Sequence, residues 1–153
     1  MKNFILEYHS EIHNGTINAG KWIKLLYEYI VCGIGRGDFA FNPKKANRAV
    51  RFIESFCHHS EGRNDLLKLE LWEKAMISVI FGIVDENDVR IFREIFIVIA
   101  RKNGKTLLVA AITAYCVYLD GEYGAKVFFV APKLDQADLA YSAADCRTRH
   151  GTE

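Results

Sequence analysis

No stretch of this 153-residue chain is apolar for long enough to cross a bilayer. The longest runs, AMISVIFGIV (75–84) and LLVAAITAYCVYL (107–119), fall short of the roughly 20 residues that a spanning helix needs. The N-terminus also lacks the unbroken apolar core of a secretory leader, because Glu7, His9 and Glu11 interrupt it. Neither sign of charge is in excess: the net charge of +1 gives no global attraction to nucleic acid or to an anionic membrane, so any such contact must come from a local patch. The cysteines, Cys32, Cys57, Cys116 and Cys146, form no C-x-x-C pair. Cys57-His58-His59 comes nearest to a metal cluster. Adjacent ligands on one helix diverge, however, and no second cluster stands at zinc-site spacing. These absences lead to the expectation of a soluble protein with reduced thiols in a cytosol and no membrane partner. No internal repeat or low-complexity tract is found. What remains is ordinary globular composition, 50% hydrophobic and 25% charged, in a length that suits one domain with a sizeable core.

The first half of the chain has helical spacing. Residues 16–32 place apolar side chains at 22, 23, 25, 26, 29 and 30, and the glycine-rich GIGRGDFAFNP (33–43) reads as a loop. A second amphipathic helix is expected over 43–59, with Pro43 in its first turn. Ala46, Ala49, Val50 and Ile53 recur on one side, and Lys44, Lys45, Arg48 and Arg51 give a basic face. That face can be a solvated surface or a phosphate contact. After a polar linker (60–65), apolar positions 69, 72, 76, 79, 80 and 83 suit a third helix, ended by Gly82 and the acidic segment 85–88. The pattern then changes. FREIFIVIA (92–100) and GAKVFFVAP (124–132) are rich in β-branched and aromatic residues, as strands buried on both faces are. The apolar segment between them has the length of one crossover helix, which predicts a βαβ unit, and residues 133–144 open a further helix.

Between the first expected strand and its helix lies Arg101-Lys102-Asn103-Gly104-Lys105-Thr106. Gly-Lys-Thr ends the phosphate-loop pattern G-x-x-x-x-G-K-[ST], and strand, loop, helix is the context that pattern requires. The physical contributions separate cleanly. Backbone N–H groups and the helix dipole favour an anion at the helix start. Gly104 lets the backbone approach a phosphate, Lys105 supplies a charge at the β- and γ-phosphates, and the Thr106 hydroxyl suits Mg²⁺. The first glycine of the pattern is Ile99 here, which changes the turn out of the strand and leaves the lysine, the hydroxyl and the helix start in place.

The same residues go beyond the generic pattern. ARKNGKT (100–106) resembles the deviant Walker A loop of tailed-phage terminase large subunits, the ATP-driven motors that package DNA into capsids, in which a small residue and an arginine open the loop. FIESFCHHSEG (52–62) resembles the segment upstream of that motor core. LELWEKAMISVIFGIV (69–84) resembles its adenine-recognition region, and VAPKLDQA (130–137) the strand-to-helix segment beyond the Walker A helix. The resemblance runs from about residue 30 to about residue 144, in the family's order.

It implies an α/β fold. This would be an incomplete P-loop (ASCE-type) nucleotide-binding core with one βαβ unit, preceded by a helical N-terminal region. The expected layout is 1–88 helical with the adenine-recognition-like segment, 89–144 the first part of the ATPase core, and 145–153 a tail unlike the family. The resemblance also implies ATP and Mg²⁺ as cofactors. Lys105 and Arg101 would be catalytic, Arg101 as an arginine finger from within the loop. Ala100, Lys102, Asn103 and Gly104 would line the phosphates and Thr106 would ligate Mg²⁺. Trp72 would pack near adenine or simply in the core, with Glu73 beside it. Lys133 and Gln136 would fall near elements that couple to DNA. The family's partners are the terminase small subunit, the portal protein and double-stranded DNA, in the host cytoplasm.

Two departures stand out. The family's Pro-Trp-Gln is Leu71-Trp72-Glu73 here, and an ionised carboxylate accepts hydrogen bonds without donating any. No strand-like run ending in Asp-Glu follows residue 106, and only two convincing strands are visible where a P-loop sheet needs at least five. The isolated chain is therefore expected to bind nucleotide weakly and turn over little. The alternatives are a truncated interaction module that uses the basic helix, or a decayed prophage fragment.

Overall fold

The structure is a computed structural model that describes residues 1–59, 65–100, 102–121 and 124–145. It is helix-rich, with α1 (Phe4–His13), α2 (Lys21–Arg36), α3 (Pro43–Phe56), α4 (Leu71–Gly82), α5 (Lys105–Tyr118) and α6 (Leu134–Asp145). Two short strands, β1 (Ala40–Phe41) and β2 (Ile83–Val84), pair antiparallel with Ala40 opposite Val84 and Phe41 opposite Ile83. The chain divides into two compact units. Met1–Val50 with Leu69–Ile95 form one, and Arg51–Lys68 with Phe96–Glu153 the other. None of the described helices is long and apolar enough to cross a membrane.

In the first unit α1 packs on both α2 and α4. Its start is capped by the Asn3 side chain, which accepts from the Leu6 N–H at 3.2 Å. Its buried face, Phe4, Ile5, Tyr8 and Ile12, follows helical spacing. Ile5, Tyr8 and Ile12 meet Tyr27 and Ile30 of α2, Ala75 of α4 and Ile83 of β2 in one apolar cluster. The Tyr8 and Tyr27 rings meet edge to face at 4.8 Å. Burial pushes both phenols above the usual tyrosine range. At the rim, His9 Nε2 and Glu28 Oε2 are 2.8 Å apart, which ties α1 to α2 and holds the Glu28 carboxyl below its ordinary range.

Helix α2 differs from its expected bounds at both ends. It begins at Lys21 rather than Thr16 and runs through Gly33 and Gly35, which the glycine-rich pattern assigned to a loop. Gly33 has a packing reason: a Cβ there would collide with the Phe39 ring. The helix stops at Gly37, whose φ of +80° reverses the chain and whose N–H returns to the last turn. Residues 40–41, also expected in that loop, form β1.

Asn42 then starts α3, its side-chain oxygen accepting from the Lys44 and Lys45 N–H groups at 3.0 and 3.1 Å. The same residue donates from Nδ2 to Asp88 Oδ1 at 2.8 Å, and Lys45 Nζ lies 2.8 Å from Asp88 Oδ2. Those two contacts hold the Asp88 carboxyl below the usual range. They fasten the turn after β2, where Asp85 accepts from the Asn87 and Val89 N–H groups.

In the second unit Leu67 N–H donates to the Cys57 carbonyl at 2.7 Å, and His58 bridges Leu66 across the same pair of segments. The Phe52 ring meets Tyr115 of α5 at 5.6 Å, and α5 packs along α6. Leu108, Ala110, Ala111, Ala114 and Tyr115 are the buried residues of α5, and the alanines admit close helix packing.

The expected strands are not formed. Residues 92–100 and 125–130 join no ladder among the described residues, so the predicted parallel βαβ pairing, and with it a P-loop core, is absent from the described sheet. The reason is physical. A strand apolar on both faces becomes stable only when neighbouring strands take its N–H and C=O groups and helices cover both faces. Here Phe96 is 94% exposed and Val130 92%, so that cover is lacking.

Candidate nucleotide-binding loop

Residues 100–106 lie in the second unit and lead into α5. Arg101 lies outside the described residues. Lys102, Asn103, Gly104, Lys105 and Thr106 are all exposed. Two of them hold left-handed backbone, Lys102 at φ +67° and Gly104 at φ +64°. For Gly104 the cost is small, and no heavy atom lies within 4 Å of where its Cβ would be, so the conformation rather than crowding explains the glycine. For Lys102 the same region costs about 1–2 kcal/mol, and strain of this kind gathers at ligand-binding turns.

Gly104 is the N-cap of α5 and offers no side-chain cap. The first backbone bond of the helix runs from Leu108 N–H to the Gly104 carbonyl at 2.9 Å, so the N–H groups of Lys105, Thr106 and Leu107 precede the helical ladder. No acidic residue stands in the first turn to offset the dipole. Lys105 turns back over the loop and donates from Nζ to the Ile99 carbonyl at 3.1 Å. A 14-residue helix thus opens with donors, a primary amine and the Thr106 hydroxyl, in a form suited to an anion. The Ile99 carbonyl is the participant that sequence reasoning missed, since Ile99 registers in the pattern only as a missing glycine.

Trp72 and Glu73 belong to the other compact unit. Trp72 is half-buried and packs against the apolar cluster of α1, α2 and α4. Glu73, in the first turn of α4, accepts the Glu70 backbone N–H through Oε2 at 2.8 Å. Burial raises the Glu73 carboxyl above its ordinary range, and the Glu70 N–H partly counters that. Lys133 and Gln136 are exposed at the start of α6, where the Lys133 carbonyl accepts from Gln136 N–H at 3.1 Å. Between α1 and α2 lies a cleft of about 160 Å³ lined by His9, Ile12, His13, Lys24, Tyr27 and Glu28, well below the ~300 Å³ at which small-molecule sites begin. Among the described residues no group of three or more His, Cys, Asp or Glu side chains could hold a metal ion.

Residues 71–149, about half of the chain, match the family model of an ATPase domain. That domain is the ATPase domain of the terminase large subunit, and the chain belongs to this family. No curated protein and no solved structure matches the chain.

Proposed function

We propose that residues 100–106 bind the phosphates of Mg²⁺-ATP and that the chain serves as the nucleotide-binding part of a DNA-packaging ATPase. The observation that carries this reading is the open start of α5. It has a left-handed glycine as N-cap, no capping side chain, no first-turn acid, and an amine held over the loop. The family match extends across that loop.

The residues present fit the ligand. Lys105 would exchange the Ile99 carbonyl for phosphate oxygens, a charge-assisted bond about twice as strong as a neutral one. The loop N–H groups from Ala100 to Gly104 would line the phosphates, and Thr106 would offer its hydroxyl to Mg²⁺. Arg101 would neutralise charge on the γ-phosphate during transfer. The double-stranded DNA, small subunit and portal protein of packaging motors are the partners this reading implies.

Isothermal titration of the whole chain with Mg²⁺-ATP tests it. Binding is expected for the wild type and a loss of about tenfold to a hundredfold for Lys105→Ala, the ~1.5–3 kcal/mol of a hydrogen bond to a charged group. Absence of heat at millimolar ATP, or an unchanged affinity in the variant, overturns the assignment.

A further inference from the structure

Helix α2 is apolar on two faces, and the first unit uses one of them. Tyr27, Ile30 and Gly33 are buried, whereas Trp22, Leu25, Leu26 and Tyr29 stand out at 79%, 50%, 47% and 56% exposure. At 100° per residue these four fall in one stripe about 100° wide. Four large side chains clustered so on one helix are more than the scattered apolar residues of an ordinary surface.

The stripe has a symmetry that selects its occupant. Trp-x-x-Leu-Leu-x-x-Tyr (22–29) has the same spacing read in either direction about the midpoint between Leu25 and Leu26. Laid antiparallel on a copy of itself about a two-fold axis, it sets Trp22 against the copy's Tyr29 and Leu25 against the copy's Leu26, each pair occurring twice. That is the requirement of an isologous contact. The charges agree with the same register. Lys21 and Glu28 lie on one flank of the stripe, separated by about 10 Å of helix rise, too far to pair within the helix. Across the two-fold each Lys21 comes beside the copy's Glu28. Glu28 remains 57% exposed while it holds His9 and accepts from the Cys32 thiol at 3.5 Å, so its carboxylate still has room for a further cation.

We infer that this face of α2 is a self-association surface through which two copies of the chain pair antiparallel. Its four side chains bury less than the ~800 Å² per partner of a standard stable interface, so the dimer is weak, on the order of micromolar. The inference does not depend on nucleotide binding.

Sedimentation velocity of the full chain from about 1 to 200 μM tests it across the range where such a dimer dissociates. A monomer–dimer equilibrium is expected, weakened at least about tenfold by Leu26→Glu at the centre of the stripe. Lys21→Glu keeps the four apolar side chains, removes the amine that lies 5.9 Å from the centre of the Trp22 ring, and reverses the charge on the flank, which weakens pairing. An equimolar mixture of Lys21→Glu and Glu28→Lys sets opposite charges at both flanking pairs and recovers a heterodimer, while each variant alone sets like charges at both. Far-ultraviolet circular dichroism with wild-type helix content shows that each variant folds, Glu28→Lys melting lower because it loses the His9 contact. A monomer throughout the range, association unmoved by Leu26→Glu, or no recovery in the mixture overturns the inference. Lys105→Ala leaves the dimer intact, which separates this result from the nucleotide test.

Discussion

Lys105 Nζ donates to the Ile99 carbonyl, six positions earlier, at 3.1 Å, closing the loop over its own backbone. The amine is held at the mouth of α5, so less of its rotamer freedom would be lost if it bound a phosphate there, as proposed.

The two neighbours of Lys105 separate loop shape from metal binding. Gly104→Ala forces a Cβ into a backbone at φ +64°, at a cost of about 1–2 kcal/mol. A lower melting temperature together with weaker ATP binding is expected. Thr106→Val leaves the backbone unchanged and removes the hydroxyl. It should abolish the gain in ATP affinity that Mg²⁺ brings while leaving metal-free binding in place. Titrations with and without Mg²⁺ read this directly, and an undiminished Mg²⁺ effect in the valine variant removes Thr106 from the metal site.

Glu73→Gln tests the departure from the family's Trp-Gln pair. The amide oxygen can still accept the Glu70 N–H, so α4 keeps its first turn. The glutamate carboxyl is raised by burial, so its contribution to stability is fully present below the ordinary glutamate range. It is lost as pH rises through the raised value. Glutamine does not titrate. The variant should therefore melt above the wild type at pH 7, with the gap closing toward pH 4. If Glu73 meets adenine, the restored donor should strengthen ATP binding about threefold to tenfold, the ~1 kcal/mol of one net hydrogen bond. Identical melting curves at both pH values would remove the desolvation argument.

Ser78 is fully buried on α4 and its hydroxyl has no hydrogen-bond partner among the described residues. An unmatched buried hydroxyl costs about 1–3 kcal/mol, and alanine is also the better helix former. Ser78→Ala should raise unfolding stability by about 1–2 kcal/mol in urea titration. A loss of stability would mean that the hydroxyl is satisfied after all.

Legibility in the sequence followed the range of the interactions. Helix α5 was visible because a glycine, a lysine and an apolar run mark its start locally, and α3 because Pro43 and period-3.6 alanines do. Helix α2 was misplaced because Gly33 resembles punctuation and is in fact a contact surface for Phe39, a fact of packing that composition cannot carry. The ladder between β1 and β2 joins residues some 43 positions apart, with two residues on each side, too short to leave a periodic trace. The segments around Phe96 and Phe128 read as strands because their residue types suit a sheet interior, yet strand identity resides in the neighbour that supplies the hydrogen bonds. At the proposed site, the sequence shows the residue types of the loop but not its backbone. The capping duty of Glu73 and the answering carbonyl of Ile99 are properties of the folded backbone.

The short strand β1 and its approach carry two rings toward two glycines, Phe39 to Gly33 and Phe41 to Gly82. A methyl at Gly82 would stand 2.6 Å from the Phe41 ring and 2.9 Å from the Ala46 methyl. Ring and missing side chain are halves of a single volume, divided between two positions, six apart for Gly33 and Phe39 and 41 apart for Phe41 and Gly82. In evolutionary terms each pair is one character. A lineage that gains a side chain at 33 or 82 is expected to shrink the ring at 39 or 41, so these positions should drift together.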